Sequence, residues 1–402
     1  GGKLDLALPL YEETLTRKKA KLGADHPDTL IAMNCLAGGY QTGGKLDLAL
    51  PLYEETLRLR RAKLGADHPQ TLNSMGNLAL CYQDAGKLDL ALPLYEETLK
   101  LKKAKLGADH PNTLIAMNCL AGGYQAGGKL DLALPLYEET LTRKKAKLGA
   151  DHPDTLRTMN NLARCYQDAG KLDLALPLYE ETLKLKKAKL GADHPDTLIT
   201  MNSLAGGYRA GGKLDLALPL FQEAAVGVEK RRFQDDGAGG IILNTAGAYE
   251  AAKQFHQAEV WRRKGLAAVK DRSGADSSAY ADVLVGLGLN LLQQEKWTDA
   301  EAVLREGLAI REKRQPDAWN TFNTKAMLGG ALLGQKKYAD AEPLLLKGYE
   351  GMKQREKMIP PQGTVRLPEA IDRLIELYTM TNRPEEAKTL QAERAKYASE
   401  KK

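Results

Sequence analysis

The sequence predicts an all-α solenoid of antiparallel helical hairpins, and three observations carry that expectation. The segment KLDLALPL returns at Lys3, Lys45, Lys87, Lys129, Lys171 and Lys213, at a constant interval of 42 residues. Within each interval, apolar residues fall at helical spacing twice over. Glycines or a Gly/Pro loop separate the two stripes, and no segment reads as a strand.

The first helix of a unit is read from Leu30, Met33, Leu36, Ala37 and Tyr40, at i, i+3, i+6, i+7 and i+10. Gly43 and Gly44 break the chain after it. The second helix carries Leu48, Ala49, Leu52, Tyr53 and Leu57, with Pro51 tolerated as a residue near its opening turns. The loop LGADHP then resets the pattern: Gly65 ends one helix, and Asp67, His68 and Pro69 cap and open the next. One hairpin cannot bury both stripes, so the units must stack and share a core. Beyond Lys213 the pattern continues in eroded form as KQFHQAEV at Lys253, KWTDAEAV at Lys296, KYADAEPL at Lys337 and RPEEAKTL at Arg383. Two regions are expected: residues 1–232, near-identical repeats starting mid-repeat, and residues 233–402, divergent repeats of the same solenoid closed by a capping helix. Glu385, Glu386, Lys388, Glu393, Arg394 and Lys396 supply that last helix with a solvated face.

Leu36, Ala37, Tyr40, Ala49 and Tyr53 together resemble the tetratricopeptide signature. The lengthened unit, with LGADHPDTL before the first helix and NNLARCYQDAGK from Asn160 within it, is similar to the kinesin light chain type. The resemblance implies a right-handed superhelical solenoid in which the free face of the first helices lines a concave groove. The segment from Trp319 to Gly363 resembles the closing region of repeat tails carried by bacterial serine/threonine kinases, which implies a regulatory or self-associating tail of a larger signalling protein.

The chain is 43% hydrophobic and 27% charged, the balance of a folded soluble protein. No apolar run approaches the roughly 18 residues of a membrane span and no signal segment opens the chain, so a cytoplasmic location is expected. The opening GGKLDL lies inside a unit and has no initiating methionine. Leu6, Leu10 and Leu15 are therefore expected to stand exposed, on a fragment of a longer protein or on an end that associates with something else.

Nothing in the pattern converges as an active site must. His26, His68, His110, His152 and His194 occupy one loop position in five successive units, which suits turn and cap residues rather than metal ligands. Cys35 and Cys119 fall on the free face and Cys81 and Cys165 beside the aromatic plug, as reduced thiols. There is no Gly-rich phosphate loop with its lysine and no kinase catalytic element. No cofactor, metal or small-molecule substrate is expected, and the chain is not read as an enzyme.

Removing the core stripe from the first helix leaves Ile31, Asn34, Cys35, Gly38 and Gln41. The same face gathers Asn34, Asn77, Asn118, Asn160, Asn161, Asn202 and Asn244, with Gln41, Gln83, Gln125 and Gln167. Each amide is both donor and acceptor, so a ladder of them can hold the backbone of an extended peptide whatever its side chains. Gly38, Gly122 and Gly206 should lower the floor in alternate units, and Arg157, Arg164 and Arg209 should favour an acidic partner. The competing reading is that the amides bond neighbouring helices and set repeat geometry. Val285, Leu289, Leu292 and Met327 make the equivalent face apolar in the eroded repeats, either as a second, greasier site or as interior. The clusters Arg17 to Lys21, Arg60 to Lys63, Lys102 to Lys105, Arg143 to Lys147 and Lys186 to Lys189 suit helix C-termini, with an anion-binding ridge as the alternative. A protein or peptide partner is thus expected, and nucleic acid is disfavoured at a net charge of +6.

Overall fold

The computed structural model describes residues 4–233 and 237–399, and among them the chain is helical with no strand. It divides into two compact units, Gly1–Asp236 and Gly237–Lys402. The first contains α1 (Leu4–Leu22), α2 (Pro27–Thr42), α3 (Leu46–Leu64), α4 (Pro69–Asp84), α5 (Leu88–Leu106), α6 (Pro111–Ala126), α7 (Leu130–Leu148), α8 (Pro153–Asp168), α9 (Leu172–Leu190), α10 (Pro195–Ala210) and α11 (Leu214–Lys230). Even-numbered helices are the first helices of successive hairpins, and odd-numbered ones the second.

Each first helix opens on proline, whose missing N–H costs nothing there. The preceding histidine accepts the next orphaned donor: Nδ1 of His26 takes the Asp28 N–H at 3.2 Å, and His68, His110, His152 and His194 repeat the cap. These are the cap residues that the loop pattern predicts. The second helices α1, α3, α5, α7 and α9 end on glycine in a conformation that side chains resist, with φ +93° at Gly65.

Packing alternates along the array. Ala37 and Ala49 are fully buried where α2 meets α3, so the two helices approach closely. Leu50, Tyr53 and Leu57 of α3 join them in a cluster that extends to Leu72, Met75 and Cys81 of α4. α3, α5, α7 and α9 are each thus packed between the first helix of their own hairpin and that of the next.

Three expectations are corrected. Leu48 is 44% exposed, as are Leu90, Leu132, Leu174 and Leu216 within a few percent, and Leu50 takes the inward place; the buried run Ala49, Tyr53, Thr56 and Arg60 steps by three and four, which leaves Leu48 off the face. Pro51 stands five residues past the first residue of α3, outside the opening turn. It is exposed, so the Asp47 carbonyl that it cannot serve can be hydrated. Leu15 is buried against Leu30, Met33 and Leu36, whereas Leu6 and Leu10 are exposed; α2 covers one side of α1.

The second unit contains α12 (Ala238–Ala251), α13 (Phe255–Ser273), α14 (Ser278–Gln293), α15 (Trp297–Arg314), α16 (Trp319–Gly334), α17 (Tyr338–Gln354), α18 (Arg366–Met380) and α19 (Pro384–Ser399), with two short 3₁₀ turns before α18. Val285, Leu292 and Met327 are buried in its core and Leu289 packs against it, so the apolar face of these repeats is interior. The hairpin turns keep their left-handed residue without glycine, at Lys253 (φ +58°), Glu295 (φ +58°) and Lys336 (φ +63°). Among the described residues no helix is long and apolar enough to cross a membrane.

Candidate functional site

In the first unit the predicted amides are largely half-buried and stitch neighbouring first helices together. Asn77 donates to Asn34 at 3.2 Å across α4 and α2. Gln41 donates to Asp84 at 2.7 Å, and 84 residues on Gln125 donates to Asp168 at 2.6 Å. Asn118 and Asn160 accept from Thr158 and Thr200 at 3.1 and 3.0 Å. Each of these side chains therefore spends at least one group on repeat geometry. A carboxamide has further donors and acceptors beyond the bond used.

The glycine floor is shaped by a tyrosine from the second helix. Tyr53, Tyr95 and Tyr137 donate to Gln41, Gln83 and Gln125 at 3.0, 3.2 and 3.3 Å. A β-carbon on Gly38 or Gly122 would lie 3.3 Å from the phenol oxygen of Tyr53 or Tyr137. Glycine there makes room for the phenol rather than leaving an empty hollow.

Two adjoining cavities open along α2, α4, α6 and α8, sharing Leu80 and Cys119. One, of about 340 Å³, is lined by Gln83, Asn118, Gln125, Asn161 and Arg164, together with Asp168. The other, of about 450 Å³, takes in Asn34 and Asn77 beside Gln70, Asn73 and Asn112, with Ile31 and Ile115 at its apolar edge. Gln41, Arg157, Asn160, Gln167, Asn202 and Arg209 line neither cavity, and Asn244 belongs to the second unit. Arg157 is engaged by Asp154 in a close ion pair, and Arg209 lies over the Phe221 ring, 5.4 Å from its centre.

The basic clusters come apart in a way that their spacing does not disclose. Their outer members pair with carboxylates of adjoining repeats: Arg61 with Glu97 at 3.0 Å, Lys63 with Asp25 at 2.8 Å, Lys105 with Asp67 at 2.7 Å and Lys189 with Asp151 at 2.8 Å. Arg60, Lys102, Lys144 and Lys186 turn inward and are buried. Lys144 and Lys186 donate to Thr158 and Thr200, each at 2.9 Å, and Arg60 to Ser74 at 2.7 Å. Burial pulls the Lys144 ammonium down to about 8, and Lys102 and Lys186 shift the same way for the same reason. The expected ridge is therefore partly neutralised on its outer side and sunk into the wall on its inner side. Arg60 and Lys102, expected only as members of basic runs on an outer ridge, line the larger cavity. The signal available was the column Ala32, Ser74, Ala116, Thr158, Thr200, in which Ala32 and Ala116 lack a hydroxyl.

The thiols offer little chemistry. Cys81 and Cys165 are buried, and burial pushes both up to about 11, so the reactive thiolate is suppressed. Among the described residues no three His, Cys, Asp or Glu side chains gather as a metal site would require.

A stack of helical hairpins with a polar inner face defines the class: a repeat fold of the kind that generally serves protein–protein interaction. The chain belongs to the tetratricopeptide repeat family, whose models match residues 28–104, 79–146, 112–188 and 162–225, and residues 2–28 and 281–314. Among solved structures, the chain is similar to nearly identical TPR-like repeats of a kinesin light chain from Podosopora anserina, at 29% identity over 52% of this chain and 99% of that one, with a TM-score of 0.45. It is also similar to BtubC (BKLC) from P. vanneervenii, at 22% identity over 55% of this chain and 88% of that one, with a TM-score of 0.45. The apo form of RapI matches over 92% of this chain and 98% of that one at 12% identity and a TM-score of 0.61, a likeness of fold alone. No curated protein matches the chain in sequence.

Proposed function

We propose that the first unit binds an extended, acidic segment of a partner protein along α2, α4, α6 and α8, and that the chain acts as a scaffold without catalysis of its own. The observation that carries this reading is the pair of adjoining cavities, about 450 and 340 Å³, lined by amides on successive first helices. Seven of the amides and arginines named from the sequence border them: Asn34, Asn77, Gln83, Asn118, Gln125, Asn161 and Arg164. Amides that bond each other across the helices are held in place before a ligand arrives, which lowers the ordering cost of binding. The Arg164 guanidinium adds positive charge to the smaller cavity, where Asp168 offsets part of it.

The test uses a library of random extended dodecapeptides selected on the full chain. Selected peptides should be rich in Asp and Glu. A variant with Asn77, Asn118 and Asn161, which border the cavities, changed to Ala should bind them at least about tenfold more weakly, since three lost hydrogen bonds at roughly 0.5–1.5 kcal/mol each exceed that threshold. Equal affinity in a variant with an unchanged melting curve would remove the reading.

A second reading, self-association or a regulatory tail of a signalling protein such as a kinase, draws support from the exposure of Leu6 (67%), Leu10 (62%) and Tyr11 (40%) on α1. Light scattering across concentration separates the two, because a strict monomer has no end-to-end contact.

A further inference from the structure

The second-helix cation is repeated at 42-residue intervals, but its surroundings are not. Arg60, Lys144 and Lys186 each meet a hydroxyl of the following first helix, from Ser74, Thr158 and Thr200. Each also meets a backbone carbonyl, at Gln70, Asp154 and Asp196. At Lys102 the hydroxyl is replaced by the methyl of Ala116. Its ammonium is held by a single long bond to Asn73 Oδ1 at 3.4 Å, although the side chain is only 7% exposed. Arg60, 5% exposed, faces the same cavity with its Nε unbonded. No aspartate or glutamate lines that space of about 450 Å³. Two sunken cations therefore border an amide-rimmed hollow that contains no counter-charge, whereas a buried cation is ordinarily paired or fully bonded.

We infer that the cavity bordered by Arg60 and Lys102 is a carboxylate pocket, and that in a bound chain it receives one acidic side chain and so fixes the register. This rests on the groove reading above and adds to it. Near-identical units would otherwise let an extended peptide sit equally well one or two repeats along. Ala32 lacks the hydroxyl as well, but the cation at that place, Lys18, is not sunk as Lys102 is and donates to the Asp28 carbonyl; a pocket with sunken cations at one place breaks that degeneracy. The anion completes the bonding of Lys102 and Arg60, and the surrounding amides supply further donors. At Lys144 and Lys186 a threonine already occupies the corresponding place, so the same cation is closed there.

The experiment titrates glutarate, as a free carboxylate probe, onto the full chain and onto Ala116→Thr by calorimetry. Ala116→Thr installs the residue found at Thr158 and Thr200, so it is compatible with the fold. Lys102→Met is the second variant, with melting curves recorded for both. Wild type should bind glutarate in the millimolar range, and each variant should weaken it at least about fivefold. Wild type and Ala116→Thr binding glutarate equally would overturn the pocket whatever peptides do. In a second arm, two otherwise identical extended peptides carry a central Glu or Gln. A Glu preference of about tenfold in wild type, abolished in Ala116→Thr, assigns the pocket to a peptide carboxylate. Binding of glutarate with no Glu preference would refute the register role and leave a small-acid site. Failure of both peptides while glutarate binds would count against the groove reading and not against the pocket.

Discussion

Lys144 shows at the residue scale how a repeated surface-type side chain acquires a different chemistry by burial. It is 1% exposed and its ammonium is drawn down to about 8 from an ordinary lysine value, chiefly by desolvation. Below pH 8 the folded and unfolded chains both hold the proton, and the fold bears a cost on the order of 3 kcal/mol at this site. Between about pH 8 and 10 the folded chain releases the proton while the unfolded chain keeps it, so stability should rise with pH over that window. The buried thiols of Cys81 and Cys165, pushed up to about 11, oppose this above about pH 9, and the buried phenols of Tyr137 and Tyr179, shifted upward, oppose it above about pH 10. Urea midpoints measured from pH 7 to 9 should climb in wild type and climb less in Lys144→Met; identical slopes would show that Lys144 does not contribute. The sequence exposes such a lysine only as one member of a basic run. Which of four adjacent cations turns inward depends on helix phase to within one residue, and a run of like charges does not reveal phase. The histidines were legible because proline beside them already marks a helix start.

At the scale of the element, repeat identity made the helices and their caps readable, and the exceptions follow from geometry. Leu48 was assigned to the stripe because leucines crowd the segment LDLALPL, which is apolar on more than one side; only the three–four step from Ala49 to Arg60 separates inward from outward. The eroded repeats conserve the turn while losing the residue suited to it. Glu295 has φ +58° and is exposed, a conformation that costs a side-chain-bearing residue roughly 1–2 kcal/mol. Glu295→Gly relieves that strain and loosens the unfolded chain, so a net gain of about 0.5–1 kcal/mol is expected. Calorimetry should show a modest rise in the melting temperature of the second unit. A fall would mean that the Glu295 side chain contributes more than the strain it bears.

For the whole molecule, the hairpin array, the repeat length and the interior role of the eroded apolar face all trace to one physical cause, that a two-helix unit must stack to bury both stripes. The site was legible only in part. Asn34, Asn77, Gln83, Asn118, Gln125, Asn161 and Arg164 border the cavities, but the partners of Gln125 and Asn118 in neighbouring helices, Asp168 and Thr158, sit about 40 residues away and carry no local signal. The pocket cations were hidden for the same reason, since they arrive from the second helices. The most direct measurement is methyl NMR of the isoleucine-labelled full chain with an acidic extended peptide bearing a nitroxide beside its central Glu. Ile31 and Ile115 line the larger cavity, and their methyl signals should broaden while that of Ile199, two repeats further along, does not. Broadening spread evenly over Ile31, Ile115 and Ile199 would contradict the fixed register, and no broadening at any of the three would contradict the groove as the binding face.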